Sequence, residues 1–162
     1  MGARPRISEE QLAKWRQTGI RLDSNGRFWH EGQEITHKRL RLALLRWLDK
    51  LPTGQTILRL DEKRYAFIDV DDCDLLVCSV SWQGDDLFGR LNDETTERIF
   101  LQSLSTGPQG AIYCHVRQQK LVARFSTKAQ QLLSPRIEER KGRAAIFAGG
   151  HWHEIKPWKK VG

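Results

Sequence analysis

Long apolar runs are missing from this chain of 162 residues. None approaches the roughly 20 residues that a bilayer-spanning helix requires, so a membrane span is not expected. The first six residues, Met1-Gly2-Ala3-Arg4-Pro5-Arg6, hold no apolar stretch of the kind a secretory signal needs. Gly2 is not followed by Ser or Thr at the position that N-myristoylation uses. Cysteine is scarce. Cys73, Cys78 and Cys114 form an odd set without a C-x-x-C pair and sit in apolar, strand-like surroundings, which predicts reduced, packed thiols and a cytoplasmic location. Common catalytic signatures are absent as well: no Gly-x-Ser-x-Gly elbow, no Gly-x-x-x-x-Gly-Lys phosphate loop and no Gly-x-Gly-x-x-Gly fingerprint. These absences predict a protein that is not an enzyme of a common class, and no cofactor is implied.

Burial capacity is present. Hydrophobic residues make up 39% and charged residues 29%, with six Trp and six Phe, enough for a packed core. The charge is unevenly spread. Between Asp61 and Glu97 eleven acids meet three bases, a net −8 inside a chain of net +7, so the remainder carries +15. A basic excess admits a polyanionic partner.

The same structural phrase is read twice. Ile20–Leu22 and Arg27–His30 flank Asp23-Ser24-Asn25-Gly26, a strong hairpin signal because Asn and Gly tolerate positive φ. Thr36 is expected to cap a helix whose apolar stripe is Leu40, Leu44, Trp47, Leu48 and Leu51, ended by Pro52 and Gly54. A hairpin, Thr56–Leu60 with Tyr65–Val70, follows. In the later half Ile112–Arg117 and Leu121–Phe125 pair about Gln118-Gln119, Ser126 or Thr127 caps a second helix interrupted at Pro135, and Arg143–Ala148 pairs with Trp152–Ile155 about Gly149-Gly150. Between the phrases, Leu75–Trp82 and Leu87–Leu91 read as strands of a meander, while Thr95–Leu104 fits either a strand or a short helix.

The expected fold class is α+β: two similar hairpin-helix-hairpin lobes with mainly antiparallel sheets. Residues 1–18 form an N-terminal helical extension, with a helix at Ser8–Trp15. Residues 19–104 form the first lobe and 111–156 the second, joined by the Gly/Pro-rich linker Ser105–Gly110. Residues 157–162 form a loose basic tail.

Three chemistries compete. Aromatic and basic strand residues of both phrases suit a small anionic ligand or a partner protein held at a seam between the lobes: Trp29, His30, Tyr65, Asp69, Asp71, His115, Arg117 and Arg124. In this reading Arg117 and Arg124 bind the anion, Trp29 and Tyr65 give walls, and Asp69 and Asp71 orient the bases. The alternative is nucleic-acid binding through the helix bases Lys38, Arg39, Arg41 and Arg46 with Lys159 and Lys160 of the tail. Metal chemistry is least favoured. Asp69 and Asp71 share a strand face, and His151 and His153 share another to which Cys114 or His115 is a conceivable partner, but neither group has a recognisable ligand spacing.

Several segments carry a family resemblance. Gly19–Asp23 with Gly26–Gly32 resembles the opening of the bacterial domain of unknown function 1285 family. Phe67–Asp71 is similar to its central strand, His115–Arg117 with Leu121–Arg124 to the start of its second half, and Gly149-Gly150 before Trp152 to its closing hairpin. The resemblance covers most of residues 19–155. It implies a duplicated core, a C-terminal half loosely like a pleckstrin-homology fold, a ligand site at the junction of the halves and a role in signalling. Gln118-Gln119 departs from the pattern, since a glycine-containing turn is expected there, and so does Pro135 in the second helix.

Overall fold

The computed structural model describes residues 17–158. The helix expected at Ser8–Trp15 and the bases Lys159 and Lys160 lie outside the described residues. The chain divides into two compact units at Asp72–Cys73. The division therefore precedes the acidic meander rather than falling at Ser105–Gly110. The reason is one parallel pairing. The strand that opens the meander joins the later hairpin, Leu75 opposite Ala123 and Val77 opposite Phe125, which ties the meander to the second unit.

Among the described residues, the first unit is a six-stranded sheet with one helix. Strands β1 (Gln17–Leu22), β2 (Phe28–His30) and β3 (Gln33–Glu34) form a meander. The turn at Asp23–Gly26 is as expected in place but different in kind. Only Gly26 has a positive φ, 78°, and its amide donates to the Asp23 carbonyl at 3.1 Å. The Asp23 carboxylate fixes the loop by accepting from the amides of Asn25 and Arg27, both at 2.9 Å.

Helix α1 spans Lys38–Trp47 and is shorter than the apolar stripe suggests. His37, not Thr36, caps it: the ring Nδ1 accepts from the Leu40 amide at 3.3 Å. Leu44 and Leu45 are buried, whereas Leu40 and Trp47 are exposed. The chain leaves the helix at Leu48 to form β4 (Leu48–Lys50), which pairs with β5 (Thr56–Arg59) before β6 (Tyr65–Val70). Strand pairing overrides the helical period at Leu48 and Leu51. The sheet closes with β6 parallel to β1, Arg21 opposite Asp69. Leu22, Phe28, Ile57 and Ile68 lie in its core.

The second unit holds two sheets. β7 (Leu75–Gln83), β8 (Asp86–Leu91) and β9 (Thr96–Ile99) form the meander. The ambiguous Thr95–Leu104 segment is thus a strand followed by a 3-10 turn at Leu101–Ser103. Next come β10 (Ser105–Thr106), β11 (Ile112–Val116) and β12 (Leu121–Phe125). Helix α2 (Thr127–Leu133) is capped by Ser126, whose Oγ accepts from the Ala129 amide at 3.1 Å, and a 3-10 turn at Ser134–Arg136 absorbs Pro135. β13 (Ile137–Arg140), β14 (Arg143–Ala148) and β15 (His151–Glu154) make a separate three-stranded sheet. Finally β16 (Lys156–Pro157) lies parallel to β10 at the edge of the large sheet, with order β16-β10-β11-β12-β7-β8-β9.

The order hairpin, helix, hairpin therefore recurs, in an α+β fold whose sheets are mainly antiparallel. The pairings differ: the strands after α1 continue the first sheet, while those after α2 form a sheet of their own. No helix among the described residues is long and apolar enough to cross a membrane.

Candidate functional site

Strand alternation assembles a site on one face of the large sheet in the second unit. Ser105 lies opposite both Tyr113 and Lys156. His115 is two residues beyond Tyr113 and Trp158 two beyond Lys156, so all five share that face. The Trp158 amide donates to the Thr106 carbonyl at 2.6 Å, which anchors the last described residue to β10. Residues 157 and 158, expected to be loose, thus belong to the sheet edge with Lys156. The indole of Trp158 stacks on the Tyr113 ring at 5.1 Å and 20°, and the His115 ring stands 6.0 Å away at 36°. Gly107 makes room beneath: a Cβ there would collide with the Tyr113 ring. The linker glycine is a packing device, not a boundary.

Beside this aromatic run opens a groove of about 590 Å³. Phe100, Leu104, Trp158, His115, Lys156 and Ser105 line it, together with Gln102, Ser103 and Gln119. No carboxylate is among these lining residues. Ser103 is committed: its Oγ donates to the Phe100 carbonyl at 2.8 Å and accepts from the His115 amide at 3.2 Å. Ser105 is not. Its residue is 8% exposed, and its Oγ is buried without a hydrogen-bond partner among the described residues. A buried hydroxyl without a partner costs about 1–3 kcal/mol, so it is a place where a bound acceptor or donor is gained at little expense.

Gln119 reaches the groove from a strained turn. Arg117, Gln118 and Gln119 have φ of 49°, 59° and 65°, the left-handed region, and the Lys120 amide closes the turn on the Arg117 carbonyl at 3.2 Å. Gln118 and Gln119 thus occupy the turn positions that glycine usually fills. The turn is held by Arg117. Its guanidinium bonds the carboxylate of Asp93, a residue with no exposed surface, and its amide donates to Glu97 Oε1 at 2.9 Å. Burial pushes the Asp93 carboxyl up. Hydrogen bonds from the Thr95 hydroxyl, from Arg117 and from the Thr95 amide, with the Arg117 charge, outweigh it and hold the group below its ordinary value.

The eight residues singled out in the sequence divide between the units: five in the first, three in the second. Of these only His115 lines the groove. Arg117 is committed to Asp93 rather than presented to an outside anion. Arg124 lies on the same sheet face, opposite Tyr113, and is half-buried. In the first unit Trp29 is half-buried, its indole N–H donating to Asp23 Oδ2 at 2.8 Å, with the Arg21 guanidinium 5.8 Å above the ring. Arg21 also pairs with Asp71 and faces Asp69 in the strand register, so the carboxylates of this face answer a guanidinium. Tyr65 packs edge-on against Phe67 at 5.9 Å, under Arg59 at 5.4 Å. His30 is exposed near Glu31.

No group of three or more His, Cys, Asp or Glu among the described residues is arranged to hold a metal ion. Cys114 is fully buried, and burial pushes its thiol up strongly, while neighbouring His115 points to the other face. His153 Nε2 sits 3.1 Å from the Ala148 carbonyl.

Sequence reasoning missed Phe100, Ser105, Gln119, Lys156, Trp158 and the anchor Asp93. The Asp93-x-Thr95 turn was a legible signal, since Asp accepts from the amide two residues on, 2.9 Å here. A two-residue edge strand such as β16 leaves no periodicity to read.

No protein-family model matches the chain, and no curated protein matches it. Two crystal structures share its fold. One is a DUF1285 family protein from Silicibacter pomeroyi DSS-3, with a TM-score of 0.71 and 18% identity over 87% of this chain and 81% of that one. The other is a DUF1285 family protein from Shewanella baltica OS155, with a TM-score of 0.59 and 12% identity over 72% of this chain and 90% of that one. The chain therefore has a DUF1285-like fold, the one its sequence resembles.

Proposed function

We propose that this protein is a non-enzymatic binding module and that its second unit takes a small anionic ligand in the groove beside His115. One observation carries the reading: the lining includes a lysine, Lys156, and an imidazole, His115, but no carboxylate. Lys156 has no ion-pair partner among the described residues. A cation in a concave, partly apolar site with hydrogen-bonding neighbours suits an anion. Binding without turnover is favoured because the hydroxyl of Ser103, a hydroxyl of the lining, is engaged with backbone on both sides. Occupancy would then be the output, which suits a signalling role.

The test is a titration of the full chain with inorganic phosphate, acetate, glycerol phosphate and phenyl phosphate, followed by amide and indole NMR shifts. Shifts confined to residues 100–105, 115, 119 and 156–158, and weakened at least fivefold by Lys156→Gln, are expected. Four silent titrations, or shifts centred elsewhere, overturn the reading.

A second reading rests on α1. Lys38 and Arg39 are exposed in a first turn that contains no acid, where positive charge opposes the helix dipole by about 0.3–1 kcal/mol each. Such placement suits a polyanion partner, with Arg46 further along the helix. Binding of generic DNA that falls steeply with salt, and that Lys38→Glu with Arg39→Glu abolishes, supports it. A flat salt response rejects it.

A further inference from the structure

Three features of the groove go beyond attraction for a charge. The first is aromatic. Trp158 is held flat by its stack on buried Tyr113, which is itself 6% exposed, and the neighbouring His115 ring continues the run. Phe100 lines the same groove with 45% of its surface exposed, and the Arg98 guanidinium lies 5.3 Å over its ring. Two aromatic side chains from distant parts of the chain thus face one opening, and one of them is braced from behind. Bracing matters because a wall fixed before binding loses little conformational freedom when a ring lies on it.

The second feature is the unpartnered Ser105 hydroxyl in the floor. The third is the Gln119 turn, whose left-handed backbone of about 1–2 kcal/mol per residue is maintained by the Arg117–Asp93 pair. Gln119 and Gln102 each bring an amide that can both donate and accept. An aliphatic anion would satisfy Lys156 and leave the aromatic walls and these polar groups unused. A heteroaromatic ring with an attached anionic group uses all of them.

Resting on the binding reading above, we infer that the groove selects planar aromatic anions, a ring bearing a phosphate or carboxylate, of which a nucleoside monophosphate is the representative. Trp158 and Phe100 supply the ring contacts, Lys156 meets the anionic group, and Ser105, Gln102 and Gln119 read the edge of the ring. Stacking on an aromatic side chain sets the preference over aliphatic anions at roughly tenfold or more.

Calorimetric titration of the full chain with AMP, phenyl phosphate and benzoate, against glycerol phosphate, inorganic phosphate and acetate, tests this. The aromatic three are expected to bind roughly tenfold or more tighter than their aliphatic counterparts. Trp158→Phe keeps that ratio. Trp158→Leu, which retains apolar bulk at the sheet edge, brings it to near one while phosphate binding persists. Phe100→Leu, at an exposed position, reduces the ratio independently should the Trp158 variant unfold. Equal binding of all six probes overturns the aromatic inference and leaves the anion groove standing. No binding by any probe overturns both. A ratio unchanged in both Trp158→Leu and Phe100→Leu also overturns the inference.

Discussion

Arg117 and Asp93, twenty-four residues apart, form a deeply set ion pair: the Asp93 side chain is wholly buried and the Arg117 side chain 23% exposed. The pair joins the loop after β8 to the turn after β11. Removing one partner of such a pair strands the other charge, which costs about 3–5 kcal/mol. Arg117→Met should leave the Asp93 carboxylate buried without its counter-charge and lower the urea midpoint accordingly. Asp93→Asn, which keeps a hydrogen-bond acceptor for Thr95, should be the milder change.

The same pair sets a pH dependence. Asp93 titrates below its ordinary value when folded, against about 3.9 in an unfolded chain. Protons therefore bind the unfolded chain more readily, and stability falls as pH drops. The contribution is fully present above about pH 5 and is lost as pH falls through the folded value. Between pH 5 and pH 2.5 the wild-type urea midpoint should fall further than that of Asp93→Asn. Parallel curves would show that the pair is not ionised.

Ser105→Ala removes a buried hydroxyl that has no partner. It should stabilise the protein by about 1 kcal/mol, a rise of about 2–4 °C in Tm for a chain of this size. The same change should weaken phenyl phosphate binding several-fold. A gain in stability with a loss of affinity is the signature of a polar group kept for a ligand.

The turn at 117–119 separates strain from contact. Gln118 and Gln119 both have left-handed backbone, yet only Gln119 lines the groove. Glycine at either position should relieve about 1 kcal/mol of strain, measurable by thermal denaturation. Gln118→Gly should leave AMP affinity unchanged, and Gln119→Gly should reduce it.

Asp23 anchors the first hairpin through both carboxylate oxygens, to two amides and the Trp29 indole. Burial raises its carboxyl, but the bond from Trp29 and those from Arg27 and Asn25, with the charge of Arg21, bring it below the ordinary value. Asp23→Ala should destabilise the chain by about 2 kcal/mol and accelerate exchange of the Trp29 indole hydrogen. Unchanged exchange would show that the indole is held by packing alone.

What the sequence revealed was local. The turn at Asn25-Gly26, the cap expected at Ser126 or Thr127 and the alternating strand expected at Ile112–Arg117 each depend on neighbours a few residues away; the turn is in place, Ser126 is the cap, and the strand ends one residue early at Val116. What it hid was long-range. The parallel joins of β1 with β6 and of β12 with β7 involve partners about fifty residues apart, with no turn to announce them. The division of the chain follows from the second of these. The groove was hidden for a related reason. It is built by a two-residue edge strand and by side chains whose shared face emerges only from the register of Ser105, Tyr113 and Lys156.

The β7–β12 join has a consequence during synthesis. All strand pairings of the first sheet lie within residues 17–70, so they can close before the rest of the chain leaves the ribosome. Once β8 has emerged, β7 has that neighbour on one side, but its other edge waits for Leu121–Phe125. At about 5–20 residues per second that edge, rich in Leu and Val, stands open for roughly two to seven seconds. Slowing translation while residues 92–120 are emerging should therefore increase chaperone capture and aggregation of the nascent chain, whereas the same delay after Phe125 has emerged should not.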